Sequence, residues 1–433
     1  MGFGAFVKSR HAAGRLVVQP RLGLGDPAQM RDALIRVKAA DATTVGTVTL
    51  DSYTRVRDHD AARRALRDGM DLNGYPLIAH GPDVTRRMLE GVAGPDFPVQ
   101  VRHGSARPSD IVEVMCAAGV TATEGGPVSY CLPYGRTGLD EALRDWNRTC
   151  EILAATRETG AEPHLETFGG CMMGQLCPPS LLVAISVLEA LYFRSFGLTS
   201  VSVSYAQQTN PEQDREAVAA LHRLCRTLIP DLDYHVVIYA YMGVFPRTPG
   251  GARELLASAA RLAVETGAQR LIVKTIAEAF HIPTVQENIE ALELAADVAA
   301  AAGDERPPAD PGATADSEVY QEAYALVEAV LNCGPNAGRA LVTAFKRGLL
   351  DVPYCLHPDN AGRARGYLDA DGRLRWATIG AMPLRALVGR DRSDAVTATG
   401  LLTALSHVQQ SFDLAQLDGA HPAIDAGPTQ RRD

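Results

Sequence analysis

Eight short runs rich in β-branched residues, each followed by a stretch of helical length, recur between about residues 15 and 302, and this alternation constrains the fold more than any other feature. The runs lie at 16–19, 45–50, 99–102, 120–124, 164–168, 200–205, 236–240 and 271–274. Strands separated by helices cannot pair as hairpins, and the crossover each helix supplies makes neighbouring strands parallel. Eight such units predict an α/β fold of the (β/α)8 TIM-barrel kind. Helices are predicted over 28–39, 58–67, 83–91, 109–118, 139–159, 180–196, 212–228, 252–266 and 285–301. A ninth apolar run at 75–79 is bracketed by Asn73-Gly74 and Gly81-Pro82, turn signals that reduce it to a loop strand.

A polar, Pro-rich connector divides the chain into a catalytic barrel over 1–302, a linker over 303–316 and an appended C-terminal α-rich segment over 317–433. That segment is expected to hold helices at 317–331 and 337–348, to become irregular after Asp351, and to fray over 425–433. With 46% hydrophobic and 21% charged residues, the composition is that of a soluble globular enzyme. A formal charge of -9, with no Lys/Arg cluster interleaved with aromatics, argues against nucleic acid as a partner. No run is long and apolar enough to span a bilayer and residues 1–10 lack the apolar stretch of a leader, so a cytoplasmic protein is expected. The eight cysteines have no regular framework and are expected to be reduced thiols.

In a barrel of this kind the chemistry sits where strands end. The first three runs end in Arg21, in Asp51-Ser-Tyr-Thr-Arg55 and in Arg102-His103. Guanidiniums stay charged and grip carboxylates through paired hydrogen bonds, so three at one mouth call for an anion with more than one carboxylate. The alternative is that each pairs with a barrel or loop carboxylate such as Asp51. The fourth run ends in Glu124, followed by two glycines that permit a tight turn and then by Tyr130 and Tyr134. Glu124 would accept from a substrate ammonium while the phenols bind a carboxylate, which implies an amino dicarboxylate. The alternative for the tyrosines is packing over the barrel rim. Lys274 closes the eighth run. It is open to three readings: a Schiff-base nucleophile, a cation for a ligand hydroxyl or phosphate, or half of a buried ion pair with Glu278. Spacing does not choose among them.

These residues belong to ordered blocks, Gln19-Pro-Arg-Leu-Gly23, Asp51 to Arg55, Leu72-Asn-Gly-Tyr-Pro76, Gln100-Val-Arg-His-Gly104, Glu124 to Tyr134, Pro178-Pro-Ser180, Met242-Gly-Val-Phe-Pro246, Ile272-Val-Lys-Thr275 and Asn360-Ala-Gly362. Through them the chain resembles the epsilon subunit of glutamate mutase (methylaspartate mutase) from Gln19 to about Pro383. The resemblance implies an adenosylcobalamin-dependent isomerase that interconverts L-glutamate and L-threo-3-methylaspartate by a radical carbon-skeleton rearrangement. It implies an arginine claw of Arg21, Arg55 and Arg102 with His103 beside it, Glu124 facing the substrate amino group, and Tyr130 and Tyr134 as further polar contacts. Glu124, Arg102 and Lys274 are thereby the catalytic candidates. Gly23, Asn73, Pro133, Phe245, Lys274, Glu278 and Ile282 match positions that line the cobalamin or its adenosyl group, which favours the cofactor-binding reading of Lys274.

The cobalamin is expected to be carried mainly by a partner. Asp233-Tyr-His235 lacks the glycine of the Asp-x-His-x-x-Gly signature and reads as barrel strand, and no metal-ligand set is assigned to this chain. A small cobalamin-binding mutase subunit, and a heterotetramer built on a homodimer of this subunit, are what the resemblance implies. The chain departs from the family pattern at Tyr239, where a histidine is expected, and over 167–174. These departures motivate one alternative, a related cobalamin mutase acting on a different amino or hydroxy acid, and the position of Lys274 at the end of its run leaves a second, a Schiff-base aldolase or lyase.

Overall fold

The computed structural model describes residues 2–133, 135–169, 176–304, 316–389 and 397–419. Its eight parallel strands are β1 (Val17–Gln19), β2 (Gly46–Thr49), β3 (Val99–Arg102), β4 (Ala122–Gly125), β5 (His164–Thr167), β6 (Ser200–Ala206), β7 (Asp233–Tyr239) and β8 (Arg270–Ile272). They form one sheet in the order β1-β8-β7-β6-β5-β4-β3-β2. A parallel bridge between Val18 and Thr44 draws β1 against the approach to β2 and brings the sheet close to closure. The fold is a (β/α)8 barrel with a helix-rich C-terminal segment, and all eight expected strands are present.

Local chemistry sets the helix starts. Asp26 accepts from the Ala28 and Gln29 amides, Asn210 from Gln213 and Thr248 from Gly251, each ahead of a proline in the first turn of its helix. These caps satisfy donors that the helix itself cannot, at about 1 kcal/mol each. The 75–79 run is resolved differently from the expectation of a loop strand. Tyr75 makes one bridge to Leu50, and a helix then begins at Leu77 and runs to Leu89, kinked at Gly81-Pro82 with Gly81 at φ 78°. The turn signals were real, but only glycine adopts that φ without strain, so they mark a kink rather than a boundary.

The barrel interior is polar through its middle. Arg270 and Glu166, both fully enclosed, form an ion pair, and Gln19, Gln100 and Ser202 complete their hydrogen bonds. Removing one partner of such a pair leaves an uncompensated charge, at a cost of about 3–5 kcal/mol. Below this layer His164 and His235 stack at 5.1 Å. Phe3 lies on His164 at 5.1 Å, with the Arg270 guanidinium 4.9 Å from its ring. Phe3 belongs to a helix, Phe3–Ala12, that was not anticipated and that closes the N-terminal end of the barrel. His235 lies inside the barrel, as expected of a strand residue.

The helix Pro179–Arg194 is buried on nearly every side. A helix apolar all round needs cover on both faces. The barrel supplies one face, and the C-terminal helices Glu318–Leu331 and Ala337–Lys346 lie against the other. Glu322 accepts there from Ser180 Oγ at 2.6 Å and from Trp376 Nε1 at 3.0 Å. Beyond Asp351, where irregular structure was expected, an antiparallel hairpin joins β9 (Arg365–Leu368) to β10 (Leu374–Thr378), and a long helix spans Ala398–Gly419. The expected linker falls largely on 305–315 and the frayed tail on 425–433, both outside the described residues. The described cysteines are free thiols. No helix among the described residues is long and apolar enough to cross a membrane.

Candidate active site

The ends of β1 to β4 meet at one mouth of the barrel. Asp51, which could have neutralised an arginine, instead caps the short helix Ser52–Arg55 by accepting from the Tyr53 and Thr54 amides. That turn directs Arg55 back toward the barrel, where its Nε donates to the Leu50 carbonyl at 2.9 Å. Half-buried Arg21 and Arg55 line one cavity of about 610 Å3, together with Gly23, Asn73, Glu278 and Ile282. Neither arginine has an ion-pair partner among the described residues.

Arg102 sits deeper. Its Nε donates to Glu124 Oε2 at 2.7 Å, and both side chains are almost fully buried. Burial opposes the charge of Arg102, but the adjacent Glu124 overcomes it and holds the guanidinium well above its ordinary pKa. Arg102 and Arg55 are joined through one residue: the Leu50 amide donates to the Arg102 carbonyl, and the Leu50 carbonyl accepts from Arg55. The alternative of pairing with a barrel carboxylate therefore describes Arg102 and not Arg21 or Arg55.

Glu124 also accepts from the Tyr130 hydroxyl through Oε1 and from the Tyr239 hydroxyl through Oε2, the latter at 2.8 Å. Tyr130 is buried, so it faces Glu124 more than it does solvent. His103 is enclosed behind it, edge-on to Tyr130 at 5.1 Å and beside Trp146 at 5.8 Å. Burial, reinforced by Arg55, lowers its pKa to about 3, so His103 is a neutral wall to the site. Tyr134 and residues 170–174 of the divergent loop lie outside the described residues.

Lys274 is buried and pairs with Glu278 at 3.1 Å, its ammonium 5.1 Å from the Phe245 ring. Burial lowers its pKa; Glu278 pulls it back up and Arg21 pushes it further down. Of the residues matched to cofactor positions, Gly23, Asn73, Glu278 and Ile282 share the arginine cavity. Lys274 and Phe245 adjoin it through Glu278. Pro133 stands apart, in an apolar hollow of about 370 Å3 with Leu132, Tyr354, Leu401 and Leu405.

Three participants escaped the reading of the sequence. In the sequence Tyr239 stands out only as a departure from the family pattern; it ends β7 and its hydroxyl lies between Glu124 and Glu166, tying the site to the buried Arg270–Glu166 pair. Glu166 itself stands in β5 as an acidic residue in a run of barrel type, which was a usable signal. Glu189 on helix Pro179–Arg194 accepts from the Val128 and Ser129 amides and the Ser129 hydroxyl, fixing the loop that carries Tyr130. Nothing in the sequence pairs it with that loop.

The model of the family described as "Methylaspartate mutase E chain (MutE)" matches residues 2–401. Three curated relatives carry the name glutamate mutase epsilon subunit. That of Escherichia coli O157:H7 is 29% identical over 385 residues, covering 86% of this chain and 79% of its own. That of Yersinia enterocolitica is 30% identical over 386 residues with the same coverage. That of Halobacterium salinarum is 30% identical over 390 residues, covering 88% and 80%. With the family model matching residues 2–401 and relatives covered over more than three quarters of their length, the chain belongs to the glutamate (methylaspartate) mutase epsilon-subunit family, whose members are mutase-type isomerase subunits.

Proposed function

We propose that this chain is the large subunit of an adenosylcobalamin-dependent glutamate mutase that interconverts L-glutamate and L-threo-3-methylaspartate. The observation that carries the reading is a pair of guanidiniums, Arg21 and Arg55, with no ion-pair partner among the described residues, facing one cavity beside the Arg102–Glu124 pair. Cations left unneutralised at a partly enclosed site are repaid by an anionic ligand, and two of them suit a diacid.

In this reading Arg21 and Arg55 clamp the substrate carboxylates and Arg102 orients Glu124 beneath them. Glu124 Oε1 accepts from Tyr130 in the structure and retains a lone pair for the substrate ammonium. The barrel excludes water on the underside, where Tyr130, Phe168 and Tyr239 pack against one another. Holding both ends of the substrate limits the escape of a migrating fragment.

The residues present fit the cofactor. The arginine cavity is bordered by Phe280 and Ile282, 64% and 67% exposed, an apolar edge with no cover among the described residues. Gly23, Asn73, Phe245, Lys274, Glu278 and Ile282 would hold adenosylcobalamin, delivered by a small subunit within a heterotetramer built on a dimer of this chain, whereas Pro133 lies in its separate hollow. When bound, the group would supply the hydrogen-abstracting radical chemistry. Lys274, kept close to Glu278, acts here as a cation. Its burial-lowered pKa is the one observation favouring a Schiff-base aldolase or lyase instead.

Mixing the purified chain with a glutamate mutase small subunit, adenosylcobalamin and L-glutamate should yield methylaspartate and a substrate-dependent paramagnetic signal. Absence of product at every ratio of subunits, or borohydride trapping of substrate on Lys274 without cobalamin, would remove this reading.

A further inference from the structure

The helix Ala398–Gly419 continues past residue 401, where the match to the family model ends. It seats on the start of the helix Pro249–Thr266, which follows β7. The seat is built from two glycines. A Cβ on Gly251 would come within 2.9 Å of the Phe412 carbonyl, and one on Gly250 would overlap the Gln416 side chain. At the same point Asp413 accepts from the Arg247 amide at 3.0 Å, the Thr248 amide at 2.8 Å and the Thr248 hydroxyl at 2.6 Å. An acceptor carrying negative charge is favoured there, at the positive end of an 18-residue helix.

The contact reaches the site through apolar packing. Val408, with Phe412 beside it, forms one cluster with Tyr241, Phe245, Leu255 and Ile276. Phe245 is the ring beneath the Lys274 ammonium. Further along the same helix, Leu401 and Leu405 border the hollow that contains Pro133. One helix therefore touches the surroundings of two separate loops of the barrel mouth, and Asp413 anchors it at the Phe245 end.

We propose that Asp413 is a positioning residue: by fixing residues 247 and 248 it sets the Phe245 loop, and through it the Lys274–Glu278 pair, for the cobalamin-loaded partner. This rests on the function proposed above. Asp413 touches no reacting atom, so its loss should affect capture of the partner and leave binding of the amino dicarboxylate alone.

The test compares the full chain with Asp413→Ala, Asp413→Asn and Gly251→Ala. Asn retains the Oδ1 acceptor that meets residues 247 and 248, whereas Gly251→Ala disturbs the seat from the barrel side. In Asp413→Ala, half-saturation by the adenosylcobalamin-loaded small subunit should rise about tenfold, as expected for losing hydrogen bonds to a charged acceptor, with the KM for L-glutamate unchanged. Asp413→Asn should restore most of the loss and Gly251→Ala should reproduce it. Without any cofactor, hydrogen exchange over residues 240–246 should speed up in Asp413→Ala and Gly251→Ala. Equal rises for partner and glutamate, or unchanged exchange over 240–246, would overturn the proposal. Failure of the unaltered chain to respond to the loaded small subunit would instead count against the proposed function, and the exchange measurement would still decide the role of Asp413.

Discussion

At the scale of single residues, the site is a contest between charges that are satisfied and charges that are not. Arg102 is satisfied by Glu124, while Arg21 and Arg55 have no ion-pair partner among the described residues. Arg102→Lys keeps a cation, but one ammonium cannot reproduce the planar guanidinium that holds Glu124 through Nε. We expect roughly a hundredfold fall in kcat/KM for glutamate with the fold retained, and unchanged kinetics would show that Arg102 does not orient Glu124 for the substrate. Tyr239 tests the deeper link. Its phenol has one proton and faces carboxylate oxygens of both Glu124 and Glu166, so Tyr239→Phe removes the donor while leaving each carboxylate its arginine. The expected cost is about 1–2 kcal/mol in urea unfolding, with KM for glutamate raised severalfold; a variant indistinguishable in both would reduce Tyr239 to packing.

At the scale of elements, the loop bearing Tyr130 is held from behind by the helix Pro179–Arg194. Glu189 fills the space a side chain would need at Gly126 and accepts from Val128 and Ser129. Burial raises its pKa from 4.5 to about 7, against the pull of those donors. The folded chain thus holds this proton to higher pH than the unfolded chain does. The stability linked to Glu189 is full below about pH 4.5 and is lost as pH rises through about 7. Glu189→Gln imitates the protonated acid, so the wild type should lose on the order of 3 kcal/mol relative to the variant over that interval. Denaturant unfolding of both proteins at pH 5 and pH 8 measures this; a constant difference between them would show that Glu189 does not titrate there.

At the scale of the whole molecule, the alternation of strand and helix determined the barrel by itself. Its period is written in neighbouring residues, and parallel strands with helical crossovers close in few ways. The placing of Arg21, Arg55, Arg102 and Glu124 at one mouth followed from the same logic, because each stands at the C-terminal end of a strand or in the loop or short helix just beyond it. The helices at Phe3–Ala12 and Ala398–Gly419 were not legible: their apolar faces make sense only against the barrel floor and the Gly250-Gly251 seat, residues distant in the chain. Nor did any local pattern pair Arg270 with Glu166, 104 positions apart, or Glu189 with Ser129, 60 apart. Sequence periodicity decides which elements form and which residues stand at their ends. Which of those charges is neutralised and which is left for a ligand was decided only by tertiary packing, because desolvation and ion pairing depend on distances between residues that the order of the chain does not set.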